Sequence, residues 1–342
     1  MKKSERVTRT SLSGQLSRYN KLFRYNKQSL FNTLFSFKPW RKLSVLAVLM
    51  FSSITHAGYT ETRYPIVLVH GISGFDSVGG LLDYFHTVSW NLERSGAKVY
   101  TAQVSAFNHS EERGMQLRDF IVNQVPEAKV NIFAHSQGAP TARVATTLIP
   151  ERIASVTSIG GVNKGSKVAD IVRGVIPAGS GIEGGAAGLA NAFGSLIDLL
   201  SDSDLPQNSL GGLETLTTPG TADLNSRHGW GVDMSRECGT TGENVNVYGN
   251  NVKMFSWVGT SVFTNVFDAS DYALLLTSAA FGREANDGLV GKCSQYLGNV
   301  VYNNKRMNHL DEVNQLLGVR SLWLNPISLY RGHANRLKKR GL

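Results

Sequence analysis

Cysteine is scarce in this chain of 342 residues: only Cys238 and Cys293 are present. No second Cys or His lies at ligand spacing beside either of them, which excludes a zinc finger or ribbon. Long hydrophobic runs are also lacking. The stretch from Leu43 to Ile54 covers about twelve residues, where a membrane-spanning helix needs roughly twenty. No internal repeat is visible, so solenoids and propellers are excluded. The glycine-rich stretch Gly160 to Ser166 lacks the Gly-Lys-Ser/Thr ending of a phosphate-binding loop and reads instead as a tight strand-to-loop turn.

Acidic residues are missing from one region in particular. Residues 1–57 carry eleven Lys and Arg against the single acid Glu5, whereas the remainder carries 24 basic and 25 acidic residues. The net charge of +9 therefore belongs to the amino-terminal segment, and nucleic-acid binding is excluded as a reading of the high pI. That segment ends in Lys38-Pro39-Trp40-Arg41-Lys42, the short apolar run, and then Thr55-His56-Ala57. A charged flank, a short apolar core and a terminal alanine describe a secretory signal peptide cut after Ala57, with an unusually long basic extension before it. The expected product is a single domain over residues 58–342, secreted to the extracellular space via the periplasm. In that oxidising setting an even pair of cysteines predicts a disulfide.

What is present is an alternation of strand and helix patterns. Tyr64 to Val69 is a continuous apolar run ending in His70-Gly71; Lys98 to Val104, Val130 to Phe133, Ile153 to Ile159 and Val252 to Val258 read as further strands. Helical spacing falls between them, at Tyr84 to Arg94, Gly114 to Val125 and Gln137 to Ile149. This rhythm predicts an α/β fold with a mostly parallel central sheet and helices on both faces. Residues 174–212 interrupt it. They are rich in Gly and Ala, with Ile176, Ile182, Leu189, Phe193, Leu196, Ile197, Leu199 and Leu200 at roughly helical spacing, the pattern of an inserted amphipathic lid or of a plain core helix.

The chemistry is carried by Ala134-His135-Ser136-Gln137-Gly138 at the end of an apolar strand. This is the pattern of a nucleophile elbow, in which a serine sits on a strained strand-to-helix turn between small residues. A serine nucleophile needs a base, and the base an acid to hold its tautomer. In α/β-hydrolases the chain order is Ser, acid, His. Only His309 and His333 follow every plausible acid; His333 lies in a Lys- and Arg-rich tail that reads as a solvated surface helix, which leaves His309. Asp287, on an Asn-Asp-Gly turn, is the best placed acid, with Asp268 and Asp271 as alternatives that could equally cap a helix. The N–H of Ile72, just past His70-Gly71, is placed to donate to an oxyanion.

The elbow, the His70-Gly71 turn, Gly160 to Ser166, Ala285 to Gly291 and Met307-Asn308-His309-Leu310-Asp311-Glu312-Val313 together resemble the secreted triacylglycerol lipases of the Pseudomonas and Burkholderia type, from about Tyr64 to the C-terminus. The resemblance implies the α/β-hydrolase fold and hydrolysis of long-chain acylglycerols at a lipid–water interface. It maps the nucleophile onto Ser136, the acid onto Asp287, the base onto His309 and the oxyanion donors onto the amides of Ile72 and Gln137. It pairs Cys238 with Cys293. One structural Ca²⁺ would be held by Asp268 and Asp311 with carbonyls of Gln315 and Val319, although one residue fewer separates Asp268 from Asp287 than the family pattern leads one to expect. The partners it implies are a periplasmic lipase-specific foldase and the type II secretion machinery. A carboxylesterase for short soluble esters would share every catalytic residue, and a non-catalytic binding module would show a broken triad.

Overall fold

Strand β1, Ile66–Val69, shows why the centre of the molecule is a parallel sheet. All four residues are buried, and the side chains alternate between two separate cores. Val67 and Val69 face one way, onto Leu117 and Ile121 of α2 (Ser110–Gln124) and Ala142 of α3 (Gly138–Leu148). Ile66 and Leu68 face the other, onto Val88 and Leu92 of α1 (Val88–Glu93) and Tyr330, Ala334 and Leu337 of α9 (Pro326–Lys339). A strand with helices on both faces has no wet side, so it carries an unbroken apolar run. Burying one such Val, Ile or Leu contributes roughly 1.5–3 kcal/mol, and the two cores together hold the sheet in place.

The computed structural model describes residues 58–72, 77–78, 82–175, 185–200 and 209–342. The expected signal segment, residues 1–57, lies outside them, as does Ile182 of the apolar stripe. Ile176 also lies outside, and of the side chains of Leu196, Ile197, Leu199 and Leu200 nothing is described. Apart from a short antiparallel pair, Ser77–Val78 with Leu82–Asp83, the strands are β1, β2 (Val99–Ala102), β3 (Val130–His135), β4 (Ile153–Ile159), β5 (Asn244–Val247), β6 (Asn250–Gly259) and β7 (Asn299–Lys305). They form one sheet in the order β2-β1-β3-β4-β6, with β5 antiparallel along the start of β6 and β7 parallel along its later part. Every other pairing is parallel. The mostly parallel sheet is the expected one.

The remaining helices are α4 (Lys167–Val172), α5 (Ala186–Leu200), α6 (Ser209–Glu214), α7 (Thr218–His228) and α8 (Ala269–Thr277). Helix α7 arises in a stretch that reads as polar and turn-rich. Thr217 caps it by accepting from Gly220 N–H, and proline stands in its first turn, while only Thr221, Leu224 and Asn225 are buried, too few to mark a helical face in sequence.

One expectation is overturned. Helix α9 is amphipathic, and His333 stands on its inner face, fully buried rather than solvated. Its Nε2 lies 2.8 Å from Thr157 Oγ1, and its ring packs among Phe133, Phe255 and Trp257. The Lys and Arg that made the segment look solvated occupy the other face and the last turn of the helix.

Candidate active site

Ser136 follows β3 and has φ +56°, a left-handed conformation that a residue with a side chain adopts only where its surroundings enforce it. Its N–H donates to Ile159 O of β4, and its carbonyl accepts from Ala139 and Val162. The small neighbours are needed because of the adjoining strand. A Cβ on Gly138 would lie 2.5 Å from Val69 O at the end of β1, and one on Gly71 would lie 2.6 Å from Ser136 Cβ. Strand β1 and its turn therefore press directly on the elbow, and Pro140 in the first turn of α3 gives up no needed hydrogen bond.

His309 lies in the loop after β7, and Asp287 on the turn that precedes it. His309 Nε2 is 2.8 Å from Ser136 Oγ, and Nδ1 is 2.8 Å from Asp287 Oδ2. Because a carboxylate only accepts, Nδ1 carries the proton and Nε2 is free to accept the serine hydroxyl proton. Asp287 is held in turn by its own loop: Oδ1 accepts from Leu289 and Val290 N–H at 2.9 and 2.7 Å, and its carbonyl accepts from His309 N–H at 2.9 Å. All three side chains are buried. Asp268 and Asp271, the alternative acids, do not reach the imidazole. Asp268 caps α8 through Ser270, and Asp271 accepts from Thr264 and Asn265 N–H and from Asn308 Nδ2.

Several buried polar groups beside the triad were not legible in sequence. His135 stacks on His309 with ring centroids 4.5 Å apart and donates from Nε2 to the His309 carbonyl at 3.0 Å. Its Nδ1 then accepts from Tyr84 O–H at 2.6 Å, and Tyr84 Oη itself accepts from Gly71 N–H at 3.1 Å. One chain of bonds thus joins the turn after β1, the elbow and the backbone of His309. Glu312, also buried, accepts from Gly259 N–H through Oε1, and its Oε2 comes within 3.4 Å of His135 Nε2. The two do not form an ion pair: burial, then the neighbouring Asp287 charge, pushes Glu312 well above the carboxylate range, and burial, then the charge of His309 when protonated, holds His135 well below the histidine range. Although ligand atoms of His135, His309 and Glu312 lie within 4.8 Å of one another, His309 uses both nitrogens on Ser136 and Asp287, so the cluster is a polar support and not a metal set.

Arg113 of α2 braces the same turn, donating to the carbonyls of His70 at 2.5 Å, Gly71 at 3.2 Å and Ser105 at 2.6 Å; its full burial lowers the guanidinium to about 9. Burial likewise takes His70 down to about 3. Ile72 follows this turn and lines a narrow cavity with Ser136, Val162, Phe193, Leu213, Leu289 and Val290. Gln137 begins α3, with its side-chain amide turned toward Asn108 and Gly212. Phe193 of α5 and Val168 also line this cavity, and Leu189, Ile171 and Phe281 are buried in one cluster with them. The space beside Ser136 is thus lined mainly by apolar side chains, with Ser166 the other polar residue, and suits a hydrocarbon chain.

Of the proposed calcium ligands, Asp268 and Asp311 are both buried in the loops flanking α8 and following His309. Asp268 Oδ2 has no hydrogen-bond partner, while Asp311 accepts from Asn308 N–H, Thr264 O–H and Ser321 N–H. Burial, with a smaller contribution from the Asp271 charge, raises Asp311 to about 7. The orphaned, buried carboxylate oxygen of Asp268 is a donor of the kind a hard cation takes, and the Asp271 charge acts on both Asp268 and Asp311. Gln315 is buried and Val319 partly exposed in the same segment. Cys238 and Cys293 are bonded to each other, with Cα atoms 4.7 Å apart.

Comparison with known proteins agrees with this geometry. A family model described as alpha/beta hydrolase fold matches residues 64–193. A triacylglycerol lipase of Vibrio cholerae is 48% identical over 315 residues, covering 91% of this chain and 97% of its own. Triacylglycerol lipases of Pseudomonas fragi, 40% identical over 82% of this chain and 98% of theirs, and Burkholderia plantarii, 37% identical over 83% and 88%, are further relatives. The crystal structures of the mature Bacillus licheniformis lipase BlEst2 and of Staphylococcus hyicus lipase superpose with a TM-score of 0.55 each. Their identities are 15% and 16%; they cover 80% and 82% of this chain and 92% and 97% of their own, and so share the fold.

Proposed function

The chain belongs to the bacterial triacylglycerol lipases that its Vibrio, Burkholderia and Pseudomonas relatives represent, and from that membership we propose that Ser136, His309 and Asp287 hydrolyse acylglycerol esters through an acyl-enzyme. The observation that carries the reading is the pair of 2.8 Å contacts that His309 makes with Ser136 and Asp287, opening onto an apolar cavity. Ser136 Oγ attacks the ester carbonyl as His309 Nε2 takes its proton. The same nitrogen then returns the proton to the departing glyceride alkoxide. The amides of Ile72 and Gln137 hold the oxyanion, and losing one such donor typically lowers the rate by about 10²–10³. Water activated by His309 then releases the fatty acid. Asp287 keeps Nδ1 protonated and balances the imidazolium.

The apolar cavity favours long acyl chains over short soluble esters, and α5, whose Phe193 lines it, acts as a lid. The test is twofold. An organophosphonate should label Ser136 stoichiometrically and not label Ser136→Ala. Rates on emulsified long-chain esters should exceed those on dissolved short-chain esters, and Phe193→Ser should lower the former more than the latter. A preference for soluble esters would make the protein a carboxylesterase.

On this reading the product is secreted, cut after Ala57, and matured in the periplasm by a membrane-bound foldase before export by a type II machine. The charged flank and short apolar run in residues 38–57 support export, and among the described residues no helix is long and apolar enough to cross a membrane. Expression without the foldase should yield inactive protein. One calcium ion is bound by Asp268, Asp311 and carbonyls of Gln315 and Val319. When bound it neutralises the two acids and steadies the loop that carries His309, taking no part in ester chemistry.

A further inference from the structure

Ten of the eighteen exposed large apolar side chains among the described residues fall in two short segments, 263–276 and 317–323. Scattered apolar residues on a surface need no explanation, but a concentration of this kind does. The segments form one surface. Asn265 Nδ2 donates to Arg320 O at 2.8 Å, Leu322 N–H reaches Thr264 O, and Leu316 packs beneath α8 against Leu274 and Leu310. Phe267 is 84% exposed, and Leu276, Leu317, Leu322 and Trp323 are each 60% exposed or more.

Charge and position both suit a lipid surface as the occupant. The only acids in 263–276 are Asp268 and Asp271, which are buried, and 317–323 contains none. The charges that border the surface include Arg320 and Arg306, the latter 5.6 Å from the Trp323 ring centroid, and on the other side the exposed Asp83, whose carbonyl accepts from Gln315 Nε2, with His86 beside Gly318. Two segments with no exposed carboxylate of their own and two flanking cations are compatible with anionic as well as neutral headgroups. The face follows the carboxyl end of β6, the same edge of the sheet from which Ser136 leaves β3, and α8 packs against α5, whose Phe193 lines the cavity. We propose that Phe267, Leu276, Leu317, Leu322 and Trp323 form a lipid-attachment face that holds the active-site edge on the lipid surface whether or not α5 has moved. This rests on the lipase reading, and it adds an attachment site separate from the lid.

The test is flotation of Ser136→Ala protein with vesicles of phosphatidylcholine, with and without phosphatidylglycerol. Phe267→Ser/Leu276→Ser/Leu322→Ser should weaken partitioning at least about tenfold, since each large side chain that enters an apolar phase contributes on the order of a kcal/mol or more. Leu276→Ser/Leu322→Ser, which leaves the neighbour of Asp268 intact, should show most of that loss. Arg306→Gln and Arg320→Gln should each lower partitioning about fivefold on phosphatidylglycerol vesicles alone. Tyr248→Ser, exposed on the hairpin at the opposite end of β6, should change nothing. Undiminished flotation of the triple variant overturns the proposal. So does undiminished flotation combined with loss of a dimer or of foldase-assisted activation, which would assign the face to a second copy or to the folding partner. Normal flotation by a protein whose Ser136 resists organophosphonate would sink the lipase reading and leave the attachment face standing.

Discussion

Replacing His333 by phenylalanine should make the protein less sensitive to acid. In the folded chain His333 Nδ1 faces Arg336 Nη1 at 3.0 Å, and an arginine can only donate, so Nδ1 must be unprotonated. Burial, then Arg336 and Arg340, holds the imidazole well below its usual range. The unfolded chain, by contrast, takes up a proton near the ordinary imidazole value of about 6.5. Below that pH the unfolded state binds more protons than the folded one, so stability falls as pH falls, by about 1.4 kcal/mol per pH unit for one such group. From pH 7 to pH 5 the loss through His333 alone comes to about 2 kcal/mol. His70 and His135 act in the same direction, and the raised acids Asp311 and Glu312 act in the opposite one, their stabilisation being present at low pH and lost as pH rises through their folded pKa. Those four are unchanged in the variant, so the difference between the two proteins isolates His333. Loss of the Thr157 hydrogen bond adds a pH-independent offset of about 1 kcal/mol. Urea unfolding at pH 7, 6 and 5, at constant salt and calcium, should show the parent losing about 2 kcal/mol more than the variant as pH falls, so that the two curves cross between pH 7 and pH 5. Parallel curves would mean that His333 is protonated inside the fold, and the assignment of its surroundings would be wrong.

Three further outcomes are expected. Reducing the Cys238–Cys293 bond, which closes a loop with a sequence separation of 55, should cost about 4 kcal/mol of stability in the chain-entropy account, read as a lowered urea midpoint; an unchanged midpoint would show that the bridge constrains nothing. A chelator should lower the melting temperature and slowly remove activity, and Asp268→Ala should do the same without chelator, whereas elemental analysis finding no calcium in active protein would end that idea. Tyr84→Phe leaves Gly71 N–H and His135 Nδ1 without their shared partner, so it should destabilise by about 2 kcal/mol and lower kcat more than it raises KM; equal kcat with only a lower melting temperature would confine Tyr84 to stability.

The parts that could be read directly from sequence are those whose physics is local. A buried parallel strand announces itself by an unbroken apolar run, which is why β4 lies at Ile153–Ile159 as expected and β1 and β3 nearly so. Ser136 could be found because a strained turn excludes large neighbours. His309 and Asp287 followed from chain order. The support around them was hidden because each part depends on distant partners. Tyr84 and His135 stand 51 residues apart, and Glu312, three residues past His309, finds Gly259 across 53. Nothing in the neighbourhood of Glu312 distinguishes it from a surface acid. The same limit explains His333: its Lys and Arg neighbours described one face of α9, and only the fold could show which residues occupy the other.

On the proposed reading, the spacing of Ser136 and His309 along the chain sets when esterase activity can first arise. Ser136 and His309 are 173 residues apart, and His309 follows β7, which among the described residues pairs only with β6. An emerging chain therefore presents its elbow long before it possesses a base, and a fragment that stops short of β7 carries a serine no more reactive than any other. Helix α9, which follows β7 in the chain, must then seat Tyr330 and Leu337 in the core beneath β1. On that reading esterase activity can arise only after β7 has been added and the fold completed.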